Sequence, residues 1–257
     1  MTEQSDEFPS RPAATLVLLH DRVDAPPDLL MVERAASMAF APSALVFPGG
    51  AVDEDDAALA SRISHGMDGQ DAAARVAAIR ETIEEAGLAV GLVGVDAATV
   101  LRLRDGLHDE KPFSHLLERH GLTLDLAALT PFARWHPAPF DGARRVFDAR
   151  FYLARAPTGQ VASVDTTENV RLLWAAASEV IDQCNRGEGR IIYPTRRNLE
   201  RLALFSSYAQ AIDHAAAFPV EKIRPWREER DGIVHLCIPD HLGYPVTAEP
   251  MSQAQRA

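Results

Sequence analysis

The sequence predicts an α/β protein in which strands and helices share one core. Segments such as Phe132 to His136 and Val146 to Ala154 alternate apolar and polar residues, as half-buried strands do. Apolar residues instead recur at helical spacing from about Asp71 to Ala86. The chain has 257 residues, 47% of them hydrophobic, and contains no internal repeat and no long linker. We therefore expect a single elaborated domain.

The first predicted elements are strands. Residues 1 to about 12 are polar and include two prolines, so they are expected to be disordered. Strands are predicted from Thr15 to His20 and from Leu29 to Glu33, joined by a turn at Pro26-Pro27. A third short strand, Ala44 to Phe47, leads into a glycine turn and then into the helix that ends near Ala86.

The rest of the domain is predicted to begin with helical structure from Asp96 to Leu129, broken at Pro112 and Gly121. The later elements are strands at Phe132 to His136, Val146 to Ala154 and Val170 to Trp174, helices at Ser178 to Asn185 and Thr195 to Ser207 with helical character continuing to Ala217, and a strand at Ile233 to Ile238. The domain is thus expected to span residues 13–240, followed by a tail of residues 241–257.

The most informative segment is the run from Arg80 to Leu88, which places three carboxylates on one side of a helical turn. At about 100° per residue, Glu81, Glu84 and Glu85 fall within roughly a third of the helix circumference. Three like charges this close repel one another unless a cation lies among them. An all-oxygen ligand set favours a hard cation, so we expect Mg²⁺ or Mn²⁺. The alternative is a solvated acidic face.

The neighbouring residues fit this helix. The apolar residues on its opposite side, expected in the core, are Val76, Ile79, Ile83 and Ala86. Arg80 precedes Glu84 by four residues, so it can brace that carboxylate. Gly87 is expected to end the helix in a left-handed conformation.

Together with the upstream turn Phe47-Pro48-Gly49-Gly50, this segment resembles the Nudix box. That pattern reads G-x(5)-E-x(7)-R-E-U-x-E-E-x-G-U, where U is a bulky aliphatic residue. The match covers Gly50 and then Arg80 to Leu88, with Thr82 in place of the first aliphatic residue.

The spacing within the box departs from the pattern. Counting from Gly50, the pattern places its arginine at position 64, whereas the arginine stands at position 80. The box therefore carries an insertion at about residues 57–70, expected to form an extra loop or a short helix. Glu54 and Asp56 are both candidates for the first glutamate of the box.

Segments outside the box resemble an insertion-bearing branch of the Nudix hydrolases that includes peroxisomal acyl-coenzyme A diphosphatase. These segments are Val32-Glu33-Arg34, Trp135-His136-Pro137, Arg144 to Tyr152, Glu168 to Trp174 and Tyr193-Pro194-Thr195. The resemblance implies an α/β/α Nudix sandwich with a mixed sheet and additional helices.

The resemblance also implies roles for individual residues. The implied metal ligands are Glu81, Glu84, Glu85 and the carbonyl of Gly49. Arg80 would orient the carboxylates, and the general base would be Glu81 or Glu168. On chemical grounds, Arg34, Arg144 and Arg145 are the candidates for binding substrate phosphates, because guanidinium forks suit that geometry, with a solvated position at a strand edge as the alternative. Arg196 and Arg197 open a helix whose dipole favours anions, but surface exposure is the commoner outcome for such a pair.

The implied reaction is metal-dependent hydrolysis of the diphosphate linkage of a nucleoside diphosphate joined to another moiety. Coenzyme A or acyl-coenzyme A is the favoured substrate. ADP-ribose, a dinucleotide or a nucleotide sugar are the alternatives, and a non-catalytic nucleotide-binding module of the same fold is a different class. The survival of all three box carboxylates favours an enzyme.

Composition sets further expectations. The net charge of −11 disfavours nucleic acid as the partner, so we expect a small-molecule substrate and leave a homodimer open. No 18-residue apolar run or signal core is present, and no membrane association is expected. Cys184 and Cys237 form no CxxC pair and are expected to be thiols in a reducing, cytoplasmic setting.

Overall fold

The structure is a computed structural model that describes residues 10–38, 41–63, 66–136, 146–165 and 168–254. The strands are β1 Ser10–Arg22, β2 Ala25–Arg34, β3 Leu45–Val46, β4 Gly49–Ala51, β5 Thr130–Trp135, β6 Val146–Arg155, β7 Asn169–Ala176, β8 Lys222–Ile223, β9 Trp226–Arg230, β10 Ile233–Cys237 and β11 Ala248–Pro250. The helices are α1 Glu54–Arg62, α2 Gly69–Ala86, α3 Ala97–His108, α4 Phe113–His120, α5 Ala177–Asn185, α6 Tyr193–Leu202, α7 Tyr208–Ala217 and α8 Met251–Ala254, with a 3₁₀ turn at Leu126–Ala128.

The main sheet is mixed, with the strand order β3-β2-β1-β6-β5-β8. Strand β1 is parallel to β6, whereas β2 is antiparallel to both β1 and β7. The edge of β1 is shared, because β2 pairs near His20 and β4 pairs near Thr15. This arrangement holds the glycine turn of β4 beside the middle of the sheet. Strands β9, β10 and β11 form a separate small sheet.

Two hydrophobic cores lie on opposite faces of the sheet. The alternation along β1 sends Leu16 and Leu18 into the core beneath α2, α3 and α4. The intervening residues Val17 and Leu19 enter the other core, beneath α5, α6 and α7. The predicted α/β/α sandwich with a mixed sheet is confirmed.

The ends of the domain differ from the sequence prediction. Strand β1 begins at Ser10, so the predicted disordered segment overlaps the sheet, while residues 1–9 lie outside the described chain. Residues of the predicted tail form β11 and α8, because β11 completes the small sheet by pairing with β10. The Glu249 side chain in β11 is buried against Arg197 of α6.

Two internal boundaries also differ. The turn between β1 and β2 lies at Val23-Asp24, where Asp24 has a φ of 54°, while the Pro26-Pro27 pair lies within β2. The helix predicted from Thr195 to Ser207 ends at Leu202, and the Ser207 side chain caps a new helix by accepting a hydrogen bond from the Gln210 N–H. No helix in the described part of the chain is long and apolar enough to cross a membrane.

Candidate active site

The carboxylate-bearing helix α2 has well-defined ends. The Asp68 side chain accepts hydrogen bonds from the N–H groups of Gln70 and Asp71 at its start. Gly87 ends it with a φ of 66°, the left-handed conformation predicted from the sequence. The apolar side of the helix is fully buried, so the opposite side, which carries the carboxylates, faces away from the core.

The three carboxylates on α2 have different surroundings. Glu85 is buried, with 3% of its surface exposed, and accepts a hydrogen bond from the Gly49 N–H at 3.0 Å. Glu81 accepts one from Arg80 at 2.9 Å. Glu84 is the most exposed of the three, and its distance of 3.7 Å from Arg80 is a loose ion pair. The cluster thus runs from a buried carboxylate to a solvent-facing one.

The glycine turn is shaped to approach these carboxylates closely. A Cβ atom on Gly50 would lie 2.3 Å from Glu81 Oε1. A Cβ atom on Gly49 would lie 2.3 Å from the Ala14 carbonyl oxygen, and Gly49 has a φ of 158°. Gly49 therefore requires glycine, because a side chain there would meet the backbone of β1, whereas a side chain at Gly50 would displace the Glu81 carboxylate.

Burial and mutual repulsion raise the pKa values of the carboxylates. Burial raises the pKa of Glu81 to about 7. Burial, together with the charge of Glu81, raises the pKa of Glu85 to about 8. Burial also raises the pKa of Glu84, and the charges of Glu168 and Asp165 act in the same direction. Glu81 and Glu85 would carry full negative charge near neutral pH only with a further cation beside them.

Arg80 is held by a residue on the preceding helix. Asp56 on α1 is fully buried and receives two hydrogen bonds from the Arg80 guanidinium, at 3.0 and 2.9 Å. A third bond runs from Arg80 to the Ala51 carbonyl at 3.0 Å. Because Glu54 is exposed, Asp56 takes the position of the first box glutamate, six residues after Gly50. Of the contacts that Arg80 makes, the weakest is the ion pair with Glu84, which is the one that the sequence predicted.

The insertion in the box is partly helical. Its first residues form the second half of α1, where Leu59 and Ala60 are buried against the core beneath α2. Asp55 of the same helix accepts hydrogen bonds from the Ser114 N–H at 2.9 Å and hydroxyl at 2.5 Å, at the start of α4. The helix α1 therefore contacts both α2 and α4, and residues 66–68 of the insertion immediately precede α2.

A cavity of about 1030 Å³ opens over the carboxylates. Its polar wall includes Arg11, Arg34, Asp53, Asp55, Arg80, Glu81, Glu84, Glu85, Glu110, Lys111, Asp165 and Glu168. Its apolar and aromatic wall includes Phe47, Trp135, Val146, Phe147, Phe151, Ile192 and Tyr193. The lining of the cavity thus combines acidic side chains with apolar and aromatic ones, which suits an amphipathic ligand bound near a cation.

The other predicted site residues fall in three groups. Arg34 and Glu168 line the cavity with the carboxylates. Arg144 and Arg145 lie outside the described residues. The pair that opens α6 is engaged elsewhere: Arg196 bonds to the Asn185 side chain, and Arg197 is buried against Glu200 and Glu249.

Sequence reasoning missed several cavity residues. Arg11 and Lys111 line it from β1 and from the segment after α3, and each is paired with a neighbouring aspartate. Asp165 is buried, and its Oδ1 accepts hydrogen bonds from the N–H groups of Glu168 and Asn169. The one sequence feature that could have indicated this loop as part of the site is its pair of acidic residues, Asp165 and Glu168.

No preformed cage of three or more His, Cys, Asp or Glu side chains is present among the described residues. The reason is local, because Glu81 is turned toward Arg80 and Glu85 toward the Gly49 N–H. The chemistry of the donors still fits a divalent cation: they are carboxylate oxygens, one of them buried and two partly buried, with too few neighbouring cations to balance their charge.

Comparison with known proteins bears on the fold and on the class of protein. No family model matches the chain. A NUDIX hydrolase from Alicyclobacillus acidocaldarius has 29% sequence identity and a TM-score of 0.69, covering 80% of this chain and 97% of that structure. The chain has the Nudix fold and is a Nudix hydrolase.

Sequence relatives of this Nudix hydrolase point to the branch suggested by its outer segments. It is 24% identical over 268 residues to acyl-coenzyme A diphosphatase NUDT19 of Homo sapiens, covering 83% of this chain and 72% of that protein. It is 26% identical over 276 residues to the Gallus gallus protein of the same name, covering 85% and 73%. Both matches extend well beyond the box.

Proposed function

We propose that this Nudix hydrolase cleaves the diphosphate linkage of coenzyme A or acyl-coenzyme A, with Mg²⁺ or Mn²⁺ as its cofactor. The observation that carries the proposal is the carboxylate cluster on α2, which lines a cavity of about 1030 Å³ that also has apolar lining residues. The names of the relatives supply the choice of substrate. An acyl or pantetheine chain suits the apolar lining residues, and the diphosphate suits the carboxylates once a cation is bound.

The cluster residues have distinct proposed tasks. Glu81, Glu84 and Glu85, with the Gly49 carbonyl, would hold the metal, which screens the phosphoryl oxygens and acidifies a bound water. The Gly49 N–H fixes the Glu85 carboxylate from the side of the turn. Arg80, locked by Asp56, keeps Glu81 in place and is an orienting residue.

Glu168 is the proposed general base. It lies on the segment before β7, is exposed, and lines the same cavity as the α2 carboxylates. Its charge acts to raise the pKa of Glu84, which supports a position near the proposed metal ligands. There Glu168 would accept the proton of the attacking water. Glu81 is the less suitable base, because Arg80 already occupies its carboxylate.

The anionic substrate needs cationic contacts away from the metal. Arg34 lines the cavity, and its charge acts to lower the pKa of Glu85, which supports a position near the proposed metal ligands. We propose Arg34 as a phosphate-binding residue, with Arg144 and Arg145 kept as proposals from the sequence. The two cysteines are both free, which fits the proposed cytoplasmic setting.

A substrate panel tests the proposed function. The enzyme is incubated with Mg²⁺ or Mn²⁺ and coenzyme A, dephospho-coenzyme A, ADP-ribose, a dinucleotide or a nucleotide sugar, and both products are identified by mass. We expect the highest kcat/KM with coenzyme A or an acyl derivative, yielding 3′,5′-ADP and the phosphopantetheine half. Equal kcat/KM for coenzyme A and dephospho-coenzyme A, or a clear preference for ADP-ribose, would contradict the substrate assignment.

A further inference from the structure

A buried arginine behind the active site binds the end of the catalytic helix. Arg104 of α3 is 7% exposed. Its Nε donates to the Glu84 carbonyl at 2.8 Å, and its Nη2 donates to the Glu85 carbonyl at 3.0 Å. These carbonyls belong to the last turn of α2 and have no partner within the helix. Arg104 therefore holds the backbone of two proposed metal ligands.

The same guanidinium also binds the segment between β6 and β7. Arg104 Nη1 donates to the Ser163 hydroxyl at 2.7 Å, and Nη2 donates to the Ser163 carbonyl at 2.8 Å. The Ser163 N–H in turn donates to the Ala86 carbonyl at 3.0 Å. A Cβ atom on Gly87 would lie 3.2 Å from both Arg104 Nη1 and Ser163 Oγ, so the junction is tightly packed.

This segment leads directly to the proposed base. Two residues after Ser163, the Asp165 carboxylate accepts hydrogen bonds from the N–H groups of Glu168 and Asn169, each at 3.2 Å. The Glu168 carbonyl accepts a further bond from the Ala35 N–H at 2.8 Å. The position of Glu168 relative to α2 is thus fixed at Ser163 on one side and at β2 on the other.

We propose that Arg104 is a positioning residue for diphosphate hydrolysis: by binding the Glu84 and Glu85 carbonyls and Ser163 with one guanidinium, it sets the separation between the metal-holding carboxylates and Glu168. The inference rests on the proposed function, since it assigns Glu168 a part in the reaction. A guanidinium has five donors in a fixed plane, whereas a lysine ammonium has only three donors on one atom and cannot bind these four acceptor atoms. The positive charge at the C-terminal end of α2 also favours the helix.

The kinetic test uses Arg104→Lys, with Arg102→Met as the control, because Arg102 lies on the same helix but is exposed. A displacement of about 1 Å in a reacting group can cost roughly 10²-fold, so we expect Arg104→Lys to lower kcat by at least about tenfold with KM little changed. Glu168→Gln should lower kcat on its own. If Arg104 acts through Glu168, the double variant should lose no more than about twofold beyond Glu168→Gln.

A second test is independent of substrate. Hydrogen exchange of the Ser163 amide in the metal-free protein should become faster in Arg104→Lys and stay unchanged in Arg102→Met. If Arg104→Lys fails to fold, Ser163→Ala takes its place. This variant removes only the hydroxyl contact, so the amide exchange at position 163 should become faster to a smaller extent. Absence of turnover in the unchanged enzyme would contradict the proposed function, while the exchange result would still decide whether Arg104 holds the segment.

Three results would overturn the inference. The first is unchanged Ser163 exchange in folded Arg104→Lys. The second is normal kcat in either Arg104→Lys or Glu168→Gln. The third is a double variant whose losses multiply, since independent losses mean that Arg104 does not act through Glu168.

Discussion

At the scale of single residues, the site depends on a carboxylate outside the catalytic helix. Asp56 is fully buried and binds Arg80 through two hydrogen bonds. Removing its charge would leave Arg80 buried with only partial compensation from Glu81. The local motif on α2 was readable from the sequence because its members lie within one helical turn. The sequence did not reveal that Asp56 rather than Glu54 is the buried partner of Arg80, because burial on α1 depends on tertiary packing.

Asp56→Asn should destabilise the protein by about 3 kcal/mol, the usual cost of breaking a buried ion pair. Glu54→Gln is the matched control, since this exposed residue on the same helix should change stability by no more than about 0.5 kcal/mol. Urea unfolding of the two variants measures the difference. Equal midpoints would show that Asp56 does not carry the ion pair.

The raised pKa values predict opposite pH effects on stability and on metal binding. Burial raises the pKa of Glu81 to about 7 and that of Glu85 to about 8. Without metal, the folded protein then holds more protons than the unfolded chain between about pH 4.5 and pH 8, so stability should fall as pH rises through that range. Metal binding requires deprotonated ligands, so affinity should rise over the same range.

Thermal unfolding measured with chelator and with Mg²⁺, from pH 5 to pH 8.5, tests both the fall in stability and the rise in metal affinity with increasing pH. We expect the chelated protein to lose stability toward pH 8 and the metal to restore it there. Glu85→Gln should flatten the pH dependence of the chelated protein. A metal effect that is equal at pH 5.5 and pH 8 would be inconsistent with protonated carboxylates in the metal-free site.

At the scale of elements, one aspartate joins the strands β6, β5 and β8, which lie at the end of the sheet farther from β2. Asp148 of β6 binds Arg134 of β5 through two 2.7 Å hydrogen bonds and Lys222 of β8 at 2.8 Å. These contacts hold the pKa of Asp148 low, at about 2, despite the opposing effect of burial. The stabilisation is present above the unfolded-state pKa near 4 and is lost as pH falls through about 2.

Asp148→Asn should therefore lower stability at pH 7 by about 1–3 kcal/mol, and the difference from the unchanged protein should vanish near pH 2. Asp109→Asn provides the control, because the exposed Asp109–Lys111 pair should contribute almost nothing. Urea unfolding at pH 7, 4 and 3 measures the trend. A difference that stays constant with pH would exclude the ion pair as its source.

Element prediction succeeded where the pattern was local. The strand at Val146 and the stop at Gly87 follow from alternation and from glycine conformation. The short strands β4, β8 and β11 were missed because each has only two or three residues and forms by pairing with a distant strand. The contacts of Arg104 could not be predicted from the sequence either, because its partners are backbone carbonyls and Ser163, which are brought to it only by folding.

At the scale of the whole molecule, the net charge of −11 opposes the approach of an anionic substrate. Several acidic side chains in the cavity wall add to this repulsion. Salt screens such long-range interactions over a Debye length of about 10 Å at 0.1 M. The proposed metal and the nearby arginines would act at short range, so they would not remove the repulsion during diffusion.

At saturating Mg²⁺, kcat/KM for coenzyme A should therefore rise as ionic strength increases from about 0.01 M to about 0.15 M. Steady-state kinetics in an inert monovalent salt provides the measurement. A decrease over that range would indicate that the cations lining the cavity dominate the encounter.

The central claim is that the α2 carboxylates carry metal-dependent hydrolysis, and Glu85 is its most direct test. The measurement is kcat of Glu85→Gln at saturating Mg²⁺, with Glu110→Gln as the control because Glu110 lines the same cavity away from α2. We predict a loss of roughly 10²-fold or more for Glu85→Gln, since metal-borne charge stabilisation is worth several kcal/mol, and near-normal turnover for Glu110→Gln. A well-folded Glu85→Gln variant with near-normal kcat would contradict the claim.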